Sequence, residues 1–278
     1  MSDVVSRIVE RLGRYAEGVH RLNRPAPVVD VSLPRVLVEL YRGFDGGELF
    51  HETMLVRPSV EVRRGEAKRW LMGELDGDEL YVDDRGAVWR LEKDSAEWLE
   101  EGSGLERWLL GWVESQELLY DDEGEFREDV FDEDGEPTPA AEVARERRVL
   151  KRDRAAPAPR WRLARALARG GELEAARAEL EQLLAARPLF AWGWFDMARF
   201  TERAGDLEAA YEDARAAAEA APEYEHAPFF WAHAARLAAL RGDERARSEC
   251  AAAALDRAPE LAGTHRNAAA QSLEDEDP

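Results

Sequence analysis

Gly171-Glu172-Leu173-Glu174-Ala175-Ala176 returns as Gly205-Asp206-Leu207-Glu208-Ala209-Ala210. The two glycines stand 34 residues apart, and so do Pro188 and Pro222. Gly242-Asp243 with Pro259 forms a third copy after 37 residues, which places a three-residue insertion at one loop. A fixed period of this length, with Gly-Asp in a turn and Pro at a helix end, specifies stacked helical hairpins over residues 157–259. Such blocks bury a continuous core only by stacking, and they leave long surfaces suited to binding other proteins. The expected architecture is an α+β N-terminal domain with a small antiparallel sheet and flanking helices, followed by an all-α helical-hairpin repeat domain.

The chain has 278 residues, which suggests about two domains. Its hydrophobic content of 45% suffices for packed cores despite a net charge of −21. That charge is uneven. Residues 1–137 carry 34 acidic and 17 basic side chains, while residues 138–278 carry 25 and 21. The acidic half argues against nucleic acid, whose phosphates need a basic footprint, and favours steering towards a basic partner. The single cysteine, Cys250, builds neither a disulfide framework nor a cysteine metal site. It reads as a small core residue in a reducing compartment. The N-terminus lacks a basic region followed by an apolar run, and no long uncharged apolar stretch follows, so a cytoplasmic protein without a membrane span is expected.

Val5, Ile8, Val9, Leu12, Tyr15, Ala16, Val19 and Leu22 recur at helical spacing and predict a helix over 3–22, ended by Pro25 and Pro27. Leu33-Pro34 opens a shorter helix through Tyr41, and Asp45-Gly46-Gly47 is a turn. Residues 48–57, 68–75, 78–83 and 87–92 are short aliphatic and aromatic runs between turn signals, with a hairpin at 83–86. Trp98, Leu105, Trp108, Leu109, Trp112, Val113 and Leu119 mark one apolar face, with the main helix over about 104–119. Ser103-Gly104-Leu105-Glu106 has the pattern of a capping box.

These residues resemble the SUKH superfamily over about 28–120. The resemblance lies in Leu33-Pro34, then Leu40-Tyr41-Arg42-Gly43-Phe44-Asp45-Gly46-Gly47-Glu48-Leu49, in Gly77-Asp78-Glu79-Leu80-Tyr81-Val82-Asp83, and in Val88-Trp89-Arg90-Leu91 before a Trp-rich helix. It implies an α+β binding fold without a catalytic centre. Bacterial members are largely immunity proteins that bind and neutralise nuclease toxins, and fungal members act as interaction scaffolds. The extra N-terminal helix and the repeat block depart from a simple immunity protein.

Residues 117–136 contain eleven acidic side chains and one basic, Arg127. This connector, 121–137, is expected to stay extended or loosely ordered by self-repulsion, with Asp121, Asp122, Glu123, Asp132, Glu133 and Asp134 offered to a basic partner. Asp132-Glu133-Asp134-Gly135 lacks the spacing and the final Glu of a calcium loop. A basic helix over 138–156, capped by Thr138-Pro139, links to the repeats.

The glycine-to-proline pattern resembles the tetratricopeptide repeat. With Gly171, Gly205 and Gly242 at position 15, Ala176 and Ala210 fall at position 20, where helices approach closely. Arg247 takes that place in the third copy. The resemblance implies a groove lined by the first helix of each unit. Position 9 is Arg165, Arg199 and Arg236, position 13 is Arg169 and Arg203, and position 5 is Trp161 and Phe195. Arginine forks beside aromatic faces suit an acidic peptide. The 121–136 run and the tail 274–277 are internal candidates for it. A capping helix is expected over Leu261–Leu273.

No Ser/His/Asp order, phosphate-binding glycine loop or His-Glu-x-x-His motif stands out. His226 and His233 have no third ligand at helical spacing. A non-catalytic protein without cofactor or metal is expected. Two readings stay open: an immunity protein with a basic nuclease toxin as partner, and a scaffold holding an acidic segment of an assembly.

Overall fold

The computed structural model describes residues 2–259, and the expected capping helix and acidic tail lie outside that range. An antiparallel sheet with helices comes first and a series of helices follows, so the α+β and all-α classes stand. Two compact units divide between Glu172 and Leu173. The division falls inside the first expected repeat, so that its first helix belongs to the N-terminal unit.

In the first unit, α1 (Asp3–Leu12) buries Val5, Ile8 and Leu12, and Ser2 caps it by accepting from the Val5 amide. The helix stops ten residues short of the expected end. Gly18 takes φ +101°, and the chain turns back to place β1 (Arg21–Leu22) against β2 (Gly47–Leu49). Tyr15 and Val19 keep their apolar roles from a loop: Val19 is buried, and the Tyr15 ring sits edge-on to Phe50 at 5.1 Å. Helical spacing therefore persisted without a helix.

After α2 (Arg35–Tyr41), β2 pairs with β3 (Met54–Val56). The expected single run 48–57 is broken by Phe50, His51 and Glu52, all with positive φ. The sheet continues through β5 (Trp70–Leu75), β6 (Asp78–Val82), β7 (Val88–Leu91) and β8 (Trp98–Gly102), all antiparallel, with β4 (Arg63–Arg64) pairing β5. Gly47 is required where β2 meets β1, since a Cβ there would lie 2.3 Å from the Arg21 carbonyl oxygen.

Trp98, expected on a helix, lies in β8, and Leu119 falls beyond the end of α3 (Leu105–Gln116). The capping box does not form. Ser103 instead gives its amide and its hydroxyl to Asp153 at 2.6 and 2.5 Å, and Glu106 accepts from the Ser2 hydroxyl at 2.8 Å. Tertiary partners took the groups that a local cap would have used. Trp108, Leu109 and Val113 of α3 join one core with Leu37, Tyr41, Leu49, Met54, Leu80 and Val88.

The acidic stretch closes into two turns instead of extending. The Asp121 carboxylate accepts from the Glu125 amide at 2.9 Å, and Asp132 accepts from Glu136 at 2.9 Å. Tyr120 bridges to Phe126 and Phe131 to Pro137. Phe126 stacks on Tyr120 at 4.8 Å. Aromatic contacts and Asx turns outweigh repulsion between solvated carboxylates, which water and salt screen. Then α4 (Pro139–Arg152) packs on α3, where Gly111 is needed because a Cβ would meet the Val149 backbone at 2.9 Å. α5 (Pro157–Arg169) completes the unit.

The second unit runs α6 (Leu173–Ala186), α7 (Ala191–Arg203), α8 (Leu207–Ala220), α9 (Ala227–Leu240) and α10 (Glu244–Arg257), with neighbouring helices packed in sequence order. This is a helical repeat region. Asp206 and Asp243 cap α8 and α10 by accepting from Ala209 and Ala246 amides at 3.1 and 2.9 Å. Gly205 and Gly242 precede these caps at φ +84° and +75°, a conformation that costs a side chain dearly. One core joins Ala198, Ala210, Ala214, Ala234, Ala238 and Cys250. In α10 the buried small residue is Ala246, while Arg247 turns outward to pair with Glu244.

Candidate functional site

The first unit carries charge inside. Glu101 on β8 is fully buried and accepts two bonds from Arg162 of α5 at 2.9 Å each, with Arg90 of β7 at 3.2 Å. Burial alone would raise the Glu101 carboxyl, but Arg162 and Arg90 overcome it and hold it below the usual range. Arg162 also reaches Glu146 of α4 at 2.9 Å. Burial works against the Arg162 charge, and Glu101 with Glu146 more than offsets it, so its pKa is raised. In a second network Arg152 forks onto Glu114, with its shorter bond at 2.6 Å, and Arg11 divides its guanidinium between Glu114 at 2.7 Å and Glu117 at 2.6 Å.

Beside the first network lies a cavity of about 320 Å³. Trp108, Trp112, Leu75 and Val149 form its apolar wall, and Arg90, Arg145, Arg162, Arg165 and Arg169 supply cations against Asp76, Glu142 and Glu146. α3, α4 and α5, with β7 and the β5–β6 turn, hold these residues in place. Arg165 and Arg169, two of the expected groove arginines, are thus cavity residues of the first unit. Arg165 lies over the Trp161 ring at 5.0 Å, and Trp161 itself is buried. Arg169 pairs with Glu142.

Arg199, Arg203, Phe195 and Arg236 belong to the second unit. Arg236 gives its guanidinium to Glu202 at 2.5 Å, and Arg199 reaches the buried Asp196 at 3.4 Å. Arg203 is exposed at the end of α7. Aromatic rings crowd the same two helices. Phe195 meets Phe230 at 4.9 Å, Trp192 meets His226 at 4.9 Å and Phe230 at 5.1 Å, and Phe195 meets His233 at 5.3 Å. Trp192 and Phe195 remain partly exposed, and Phe229 is 51% exposed. Burial, then the Arg236 charge, drives the His233 pKa down to about 4, so its ring is neutral at neutral pH.

The carboxylates of Asp121, Asp122, Glu123, Asp132, Glu133 and Asp134 sit on or beside the two acidic turns, and most of these residues are exposed. Among the described residues no cluster of three His, Cys, Asp or Glu is placed to hold a metal ion, and no helix is long and apolar enough to cross a membrane. Sequence reasoning missed Asp76, Arg90, Arg145 and Glu146 as cavity residues. Their positions span 71 residues of chain, and only an arginine-rich α4 hinted at them.

Fold and surface together define an α+β unit followed by a helical-repeat unit. No family model matches the chain, and no curated protein matches it. Among solved structures, one described as the crystal structure of MamA is similar with a TM-score of 0.40 and 14% identity, over 45% of this chain and 71% of that one. The repeat architecture rests on the elements described above and not on that likeness.

Proposed function

We propose that this chain is a non-catalytic protein-binding protein of the cytoplasm, and that its second unit engages a partner through the α7–α9 face. The carrying observation is the partly exposed cluster of Trp192, Phe195, His226 and Phe229, with Arg199 and Arg203 nearby on α7. Aromatic side chains with arginine are the anchors that dominate protein interfaces. The repeated glycine, alanine and proline positions support a tetratricopeptide-like scaffold. Because Glu202 takes the Arg236 charge, Arg199 and Arg203 are the cations best able to receive an acidic segment.

Capture experiments on the host lysate test this with the full chain against a Trp192→Ala/Phe229→Ala variant. The aromatic anchors are expected to carry the binding, so the variant loses the captured protein by roughly ten-fold or more. Equal capture by a folded variant removes the α7–α9 face from the reading.

The acidic turns favour a second reading, a SUKH-like binding module for a basic nuclease toxin. Its support is the order of α2, the Gly46-Gly47 turn, the antiparallel sheet and the Trp-rich α3, together with carboxylates presented at 121–136. Asn and Gln replacements at Asp121, Asp122, Glu123, Asp132, Glu133 and Asp134 are then expected to abolish protection of host cells. Undiminished protection by that variant excludes these turns.

A further inference from the structure

The cavity of the first unit keeps a charge ledger that does not close internally. Arg90 faces Glu101, Asp78 and Glu92 at 3.2, 3.8 and 3.7 Å. Arg162 is held by Glu101 and Glu146, and Arg169 by Glu142. Two lining groups are left over. Arg145 makes no hydrogen bond or ion pair with any described residue, and its Nε is buried without a partner. Asp76, at the cavity rim in the β5–β6 turn, likewise makes none through its carboxylate. Two further lining atoms are buried without a hydrogen bond, Glu146 Oε2 and Arg90 Nε, the latter 3.2 Å from the Glu101 carboxylate.

An unpaired buried polar group is costly, so a cavity edged by the buried Arg145 Nε donor and the buried Glu146 Oε2 acceptor favours a ligand that satisfies both. Arg145 presents planar donors matched to a carboxylate. Asp76 and Glu146 Oε2 present acceptors matched to an ammonium. The Arg145 guanidinium feels the charge of Glu146 before that of Asp76, and the Asp76 carboxylate feels Arg90 before Arg145. Incomplete hydration raises the Asp76 carboxyl although the residue is exposed, and burial lowers the Arg145 pKa. The wall of Trp108, Trp112, Leu75 and Val149 would accept an apolar side chain, and about 320 Å³ lies at the small end of ligand sites.

We infer that this cavity binds a small zwitterion of the α-amino-acid class, with the carboxylate on Arg145 and the ammonium on Asp76 and Glu146. A plain anion would leave the acceptors unfilled, and a plain amine would leave the guanidinium unfilled. The inference does not depend on the α7–α9 face, since every residue it uses belongs to the first unit.

Calorimetry and thermal-shift measurements on the full chain test it with the standard amino acids, their deaminated and decarboxylated analogues, and inorganic phosphate. At least one amino acid is expected to bind, with both truncated analogues and phosphate weaker by about ten-fold or more. Arg145→Gln and Asp76→Asn should each weaken it by a similar factor. Asp76 lies at the rim, so Asp76→Asn carries the test even if Arg145→Gln fails to fold, and Arg145→Lys then probes the lost fork. Absence of binding by every amino acid at ~10 mM overturns the inference. So does phosphate or a deaminated acid binding as tightly as the amino acid, or full affinity in folded Asp76→Asn protein.

Discussion

The two units solve the same packing problem with opposite materials. The first fills its core with Trp108, Tyr41, Phe44, Phe50, Ile8 and several leucines, and threads Glu101 and Arg162 through it. The second has one seam where helices meet on Ala198, Ala210, Ala214, Ala234 and Ala238, and keeps its aromatic rings in a separate cluster around Phe230. Large side chains bury much area and tolerate an internal ion network whose desolvation is met by several partners. Small side chains bury little area but let backbones approach. The first unit is therefore vulnerable to deletion, and the second to addition.

The largest expected effect is in the first unit. Glu101→Ala leaves Arg162 and Arg90 facing each other without their shared carboxylate and is expected to destabilise it by about 3–5 kcal/mol, measured by urea denaturation. The sign of its pH dependence follows from the depressed carboxyl. The stabilisation is present above the unfolded carboxylate range near ~4.3 and is lost as pH falls through the lower folded value, so the two proteins converge in acid. A wild-type advantage that persists unchanged at low pH would contradict the ion network as its source.

Addition to the second unit comes next. Ala214→Leu should cost about 1–3 kcal/mol by wedging α8 from its neighbours, with peptide-resolved hydrogen exchange rising there. If the leucine is accommodated without loss, the alanine seam is looser than the contrast claims. Least, Asp206→Ala and Asp243→Ala should each cost about 1 kcal/mol by removing the side-chain acceptor at an N-terminus. Midpoint shifts in thermal melts report this. Unequal losses at the two caps would show that the repeats are not energetically alike.

The helical repeats were legible because their signals are local. Gly205-Asp206 and Gly242-Asp243 set a turn and a cap within four residues, and the helices begin where those residues place them. The first unit was legible as a class but not in detail. Trp98 followed a strand rather than a helix because the chain folds back only seven residues after Leu91 and pairs the two across a hairpin, and the apolar spacing around Trp98 fits either period. Ser103 left its expected cap for Asp153, fifty residues away. The site suffered most. Arg165 and Arg199 share a repeat position, but they fall in different compact units, and Arg165 lines a cavity with Arg145 and Asp76. Repeat register predicts which face of a helix a residue occupies. It says nothing of where a folding unit ends.

Cys250 adds a practical consequence. It is the chain's single cysteine, buried on α10 with the Tyr211 hydroxyl 3.9 Å from its sulfur, and burial raises its thiol pKa. Thiolate chemistry is therefore suppressed while α8, α9 and α10 stay packed. Each labelled molecule records one opening of that helical stack, and a single adduct mass counts it without ambiguity. Nature has left the alanine seam with its own stopwatch.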